Sequence, residues 1–129
     1  MSWNCDKKEL HQYVHKVEYK LGRLIAIDLK FRGKINLKII NIYVNSNDTE
    51  KIERDNLLKE LNKLITEANV SKSHLIIMGD FNADAEKYDA LNKTVTKGKY
   101  KIIQLLRDQG LYDTQKLTNI NLQYTWKKK

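Results

Sequence analysis

The chain contains no proline among its 129 residues, where about 5% is usual. It has one cysteine, Cys5, so no intrachain disulfide can form. That fits a reducing, intracellular compartment. No apolar run is long enough to span a bilayer, which argues against a membrane protein. The stretch MSWNCDKKELHQ lacks the apolar region of a secretory signal. No internal repeat and no Gly/Ser linker divides the chain, so residues 1–129 read as one domain. No Gly-rich phosphate loop follows a strand, which excludes the common nucleotide-binding motif.

Positive charge is in excess, with 24 Lys+Arg against 16 Asp+Glu and a formal net charge of +8. The excess is uneven: residues 1–43 carry a net +5, residues 44–84 a net −3 and residues 85–129 a net +6. A basic balance attracts polyphosphate irrespective of sequence. Solvated surface lysines account for the same excess, since 20 of the 24 basic residues are lysine. Apolar residues make up 41% and cluster, as in a globular chain with a core.

The hydrophobic period changes along the chain. QYVHKVEY (12–19) alternates and RLIAIDLKF (23–31) is almost continuously apolar; both read as strands. RGK (32–34) places Gly33 where a short hairpin loop needs positive φ. INLKIINIYVN (35–45) alternates at first, with Ile35, Leu37 and Ile39 set against Asn36 and Lys38. It then becomes apolar on both sides, as in a strand that enters from an edge and ends inside. NDTEKIERDNLLKELNKLITEA (47–68) is helical, with Leu57, Leu61, Leu64, Ile65 and Ala68 in one stripe. Asn47 and Glu50 have the spacing of an N-terminal capping box. HLIIMG (74–79) reads as a central buried strand, KGKYKIIQLLRDQG (97–110) as a second helix and LQYTW (122–126) as a last strand. Strand, helix, strand is the unit that pairs strands in parallel.

The central strand runs into GDFNAD (79–84). In open α/β sheets, ligand sites collect at the carboxyl ends of strands. A carboxylate there, Asp80, suits a hard cation such as Mg²⁺ or polarises a water. The Asn82 amide donates to a phosphoryl oxygen without adding repulsive charge. Together they suit attack on a phosphate ester. A polar turn after a buried strand accounts for the same residue types, because Asp, Asn and Gly favour turns.

IIMGDFNAD resembles the GDFN motif of the endonuclease/exonuclease/phosphatase superfamily, the DNase I-like fold shared with abasic-site endonucleases. GRLIAIDLKF…INLKIINIYVN resembles the family segment whose strand ends at a Tyr near the scissile phosphate. LLRDQGLYDT resembles the helix and Leu-x-Asp that follow GDFN, and YTW resembles the strand after those. The resemblance spans roughly residues 13–126 and is strongest to endonuclease domains tied to reverse transcriptases in retroelements. It implies an α/β (α+β) two-sheet sandwich, Mg²⁺ as cofactor and hydrolysis of nucleic-acid phosphodiesters, DNA foremost, in the nucleus. Asp80 corresponds to the family Asp that orients or deprotonates water, and Asn82 to the Asn that stabilises phosphoryl oxygens. Tyr43 matches the Tyr that closes on the phosphate. The family's Tyr-x-Pro-Asn reads here as Tyr43-Val44-Asn45-Ser46, so the phosphate-contacting amide is either displaced to Asn45 or replaced by Ser46. Asp113 takes a structural role, and Trp126 either lines the groove or packs in the core.

The family also opens on a strand bearing Asn, followed by a metal-binding Glu, and closes on a Ser-Asp-His. Neither matches here, and His11, His15 and His74 stand at other places in the order. The expectation is therefore an incomplete sandwich, a central fragment of the domain that is inactive alone, with Asp80 as the remnant of its metal site. Such a half leaves an apolar face and strand edges open, which invites association. The competing reading is a non-catalytic nucleic-acid-binding remnant that works through basic ends such as Lys7, Lys8, Lys127, Lys128 and Lys129. A calcineurin-type metallophosphatase also uses Gly-Asp, but its Gly-Asn-His motif does not follow.

Overall fold

The computed structural model describes residues 10–45, 51–90, 98–114 and 125–128. The strands are β1 (Val14–Lys20), β2 (Leu24–Phe31), β3 (Ile35–Tyr43), β4 (His74–Asp80), β5 (Leu111–Asp113) and β6 (Thr125–Lys128). They form one sheet in the order β1-β2-β3-β4-β6-β5. β1, β2 and β3 make an antiparallel meander, β3 and β4 run parallel, and β6 is antiparallel to both β4 and β5. Helix α1 (Lys51–Val70) connects β3 to β4. Beyond β4 come α2 (Ala85–Ala90), a 3-10 turn (Gly98–Tyr100) and α3 (Lys101–Asp108).

The period switches where the sequence predicts. The β2–β3 hairpin turns through Gly33 at φ 78° and Lys34 at φ 60°. The α1 stripe packs inward: Leu57, Leu61, Leu64, Ile65 and Ala68 are all at most 1% exposed. Each buried Leu or Ile there contributes about 1.5–3 kcal/mol from apolar burial. The helix ends at Val70, and the hydroxyl of Ser71 just beyond it donates to the Glu67 carbonyl at 3.0 Å. The N-terminal cap expected at Asn47 and Glu50 lies outside the described residues.

Register partners share a face of the sheet. Leu24, Ala26, Ile40, Ile42, Leu75 and Ile77 occupy the face under α1 and form one core with Ile102, Ile103 and Leu106 of α3. β4 is central, paired on both sides. All six described strands lie in a single sheet, as in an incomplete sandwich. One expectation changes. On β3 the buried positions beneath the helix are Lys38, Ile40 and Ile42, while Ile35 is 51% exposed. Lys38 is tolerated there because Asp28 and Glu67 reach its ammonium at 3.2 and 3.6 Å.

No helix among the described residues is long and apolar enough to cross a membrane.

Candidate active site

The motif after β4 is explained residue by residue. Gly79 has φ 130°, and a Cβ built on it would lie 2.0 Å from the Ile42 carbonyl oxygen. Only glycine allows β4 to approach β3 that closely. Asp80 ends the strand on the exposed side. Phe81 turns back into the core and is 1% exposed. Asn82 follows at φ 48°, a left-handed conformation that Asn accepts more readily than most residues.

Asn82 ties the two strand ends together. Its backbone N–H donates to Asp80 Oδ1 at 3.0 Å, closing a local turn of the Asx kind. Its side-chain amide donates to the Val44 carbonyl, and the Val44 N–H donates to the Asp80 carbonyl at 2.8 Å. This use of the amide was not read from the sequence. It leaves the second amide hydrogen and the amide oxygen of Asn82 for a ligand.

Tyr43 and Asp80 are direct register partners on the parallel β3–β4 pair. They therefore point to the same face, the one turned away from α1. Both line a depression of about 420 Å³ with Asn41, Tyr19 and Arg23. The Arg23 guanidinium lies over the Tyr43 ring, 5.2 Å from its centroid, a cation–π arrangement. Arg23 stands just ahead of β2, and its carbonyl accepts the Tyr43 N–H at 2.8 Å. Sequence reasoning missed Arg23, because nothing local marks a turn residue as the neighbour of a strand end twenty positions later. Its place at the start of the meander, opposite Tyr43, was the available signal.

Asp80 also lines a second depression, of about 330 Å³, with Asn82, Asp84, Lys87, Lys99 and Tyr100. The remaining expected residues lie elsewhere. Asn45 is 3% exposed and donates to Glu53 Oε2 of α1 at 3.3 Å, so it anchors the chain to the helix and does not open on the strand-end depressions. Ser46 lies outside the described residues. Trp126 sits on β6, its backbone paired with Ile77 and Asp113. Asp113 is buried on β5.

The donors around Asp80 are already engaged or face cations. Asp80 Oδ1 is engaged by the Asn82 N–H, and Asp84 Oδ1 accepts the Lys87 N–H at 3.4 Å. Lys87 and Lys99 line the same depression. Among the described residues no group of three or more His, Cys, Asp or Glu gathers to hold a metal ion. Mg²⁺ requires near-octahedral oxygen ligation, and the described residues do not by themselves fit it. Cations around a strand-end carboxylate suit a bound anion instead.

A parallel β–α–β unit with its polar cluster at the strand ends makes this an α/β domain, and comparison with solved structures shows a DNase I-like fold. The human Nocturnin catalytic domain, determined with a bound sulfate anion, matches with a TM-score of 0.53 and 19% identity. The match covers 91% of this chain and 45% of that one, so the chain spans less than half the length of the structure it resembles. At that identity the likeness concerns the fold. Residues 37–128 match the endonuclease-reverse transcriptase family, and the chain belongs to it. No curated protein matches the sequence.

Proposed function

We propose that this chain carries the phosphate-handling strand ends of a nuclease-type domain whose reaction is hydrolysis of a nucleic-acid phosphodiester. The observation that carries the reading is the pairing of Tyr43 with Asp80 on one sheet face, with the Arg23 guanidinium held over the tyrosine ring. In this reading a water oxygen attacks phosphorus and its proton passes to Asp80. The bond to the leaving deoxyribose oxygen breaks, and that oxygen takes a proton from solvent. Arg23 and the spare Asn82 amide hydrogen balance charge growing on the non-bridging oxygens, and Tyr43 closes over the phosphate. The substrate is DNA and the compartment is the nucleus, in keeping with the family's link to reverse transcriptases.

The residues form one domain that is part of a larger sandwich. Full activity draws on a metal-binding acid and a histidine base outside the set described above. Mg²⁺ belongs to that completed domain, with Asp80 as this chain's share of the site, and the edges β1 and β5 are where a complementary segment pairs. A second reading, a basic nucleic-acid binder without catalysis, draws support from the commitment of the Asn82 amide to Val44.

Nicking of supercoiled plasmid in Mg²⁺ separates these readings. The chain alone is expected to bind DNA, increasingly weakly as salt rises, and not to nick it. With the complementary acid- and histidine-bearing segment of a related nuclease supplied in trans, nicking is expected to appear and to vanish in Asp80→Ala. Nicking that survives Asp80→Ala would overturn the assignment of Asp80. Salt-dependent binding with no nicking in the complemented protein would favour the second reading.

A further inference from the structure

Asp80 stands between two depressions; the proposed reaction uses the one holding Tyr43 and Arg23 and, from the other, only the Asn82 amide. The other is lined by Lys87 and Lys99 together with Asn82, Asp84 and Tyr100. Both lysines are exposed, and neither has a carboxylate partner among the described residues. Their positions are nonetheless defined. Lys99 Nζ lies 5.0 Å from the centroid of the buried Tyr100 ring. The Lys87 backbone N–H donates to Asp84 Oδ1 at the start of α2. The two lysines share the concavity with two carboxylates, Asp80 and Asp84, so its formal charges balance. Asp80 Oδ1 already accepts the Asn82 N–H and Asp84 Oδ1 the Lys87 N–H, which leaves the two ammonium groups as the donors that an anion there would meet.

A polynucleotide carries one negative charge per nucleotide step. A strand with one phosphate at Asp80 and Arg23 must run its neighbouring phosphate to one side of Asp80. We propose that Lys87 and Lys99 form a second phosphate subsite that holds this flanking phosphate, and so favour an internal phosphodiester over a phosphate monoester or small ester. The inference rests on the reading of Asp80, Tyr43 and Arg23 as the primary phosphate site.

The test uses the full chain, a fluorescently labelled single-stranded DNA 12-mer, and inorganic phosphate as a probe of the primary site alone. Each contact to a single strand contributes about 0.7 to the slope of log affinity against log salt. The double variant Lys87→Gln/Lys99→Gln is expected to reduce that slope by about 1.4, weaken the 12-mer at least tenfold, and leave phosphate affinity unchanged. Asp84→Asn is expected to tighten the 12-mer severalfold. Arg23→Gln is expected to weaken both ligands. An unchanged salt slope in the lysine variant, or an equal loss of both ligands, overturns the subsite. If Arg23→Gln still weakens phosphate in that case, the primary site stands. If Arg23→Gln affects neither ligand, the primary reading fails and the subsite with it. Circular dichroism of each variant checks that the fold is retained, and the exposure of both lysines makes unfolding an unexpected outcome.

Discussion

Two charges on neighbouring strands meet opposite treatments. Lys38, on the helix side of β3, is 3% exposed and holds two carboxylates, Asp28 from β2 and Glu67 from α1. Asp80, at the end of β4 on the other side of the sheet, is exposed and holds one backbone N–H. Around it stand cations that it does not pair with: Arg23 in one depression, Lys87 and Lys99 in the other. A buried charge costs several kcal/mol unless its partners are in place, so the chain supplies them at Lys38. The Asp80 end has an exposed carboxylate and nearby positive charge that remain available to a ligand. Saturation marks the first as structural, and openness at the second is what the proposed function draws on.

The largest break in this comparison is expected at the hinge of the functional end. Gly79→Ala puts a methyl group against the Ile42 carbonyl at positive φ and should cost about 4 kcal/mol, or prevent folding. Urea denaturation reads it, and a loss below about 1 kcal/mol would mean that β3 and β4 need not approach so closely. A smaller but sharper contrast comes from removing each charge in turn. Lys38→Ala leaves Asp28 and Glu67 facing a gap in the core. Both carboxylates are partly exposed, so the expected loss of about 2 kcal/mol lies below that of a fully buried pair. Asp80→Ala should change stability by less than about 0.5 kcal/mol while abolishing activity of the complemented domain. Equal losses of stability from both variants would erase the distinction between the two ends.

Much of the fold was legible because it rests on local periodicity. The α1 stripe, the buried run of β4 and the β2–β3 hairpin each carry their signal within a dozen residues. So did the pairing of Tyr43 with Asp80, since two strands joined by a helix crossover bring their carboxyl ends together. What was not legible depends on distant partners. The inward face of β3 was obscured because Lys38 looks like a surface residue until Asp28 and Glu67 are seen beside it. Arg23 was missed because its neighbour Tyr43 lies at the far end of the adjacent strand. Asn82 was read as a phosphate ligand, but the Val44 carbonyl that takes its amide became visible only with the two strand ends in register. Asn45 was a candidate for substrate contact, and its burial and hydrogen bond to Glu53 of α1 depend on a partner eight residues away.

The most direct test of the central claim is a titration of the isotope-labelled chain with inorganic phosphate, followed by NMR. Shifts are expected at the backbone amides of Tyr43, Asp80 and Asn82 and at the Arg23 side chain, saturating together, with the signals of Lys38, Asp28 and Glu67 unmoved. Shifts centred on Lys38, or no saturable change at Arg23 and Asp80, would contradict the assignment of the β3–β4 strand ends as a phosphate site.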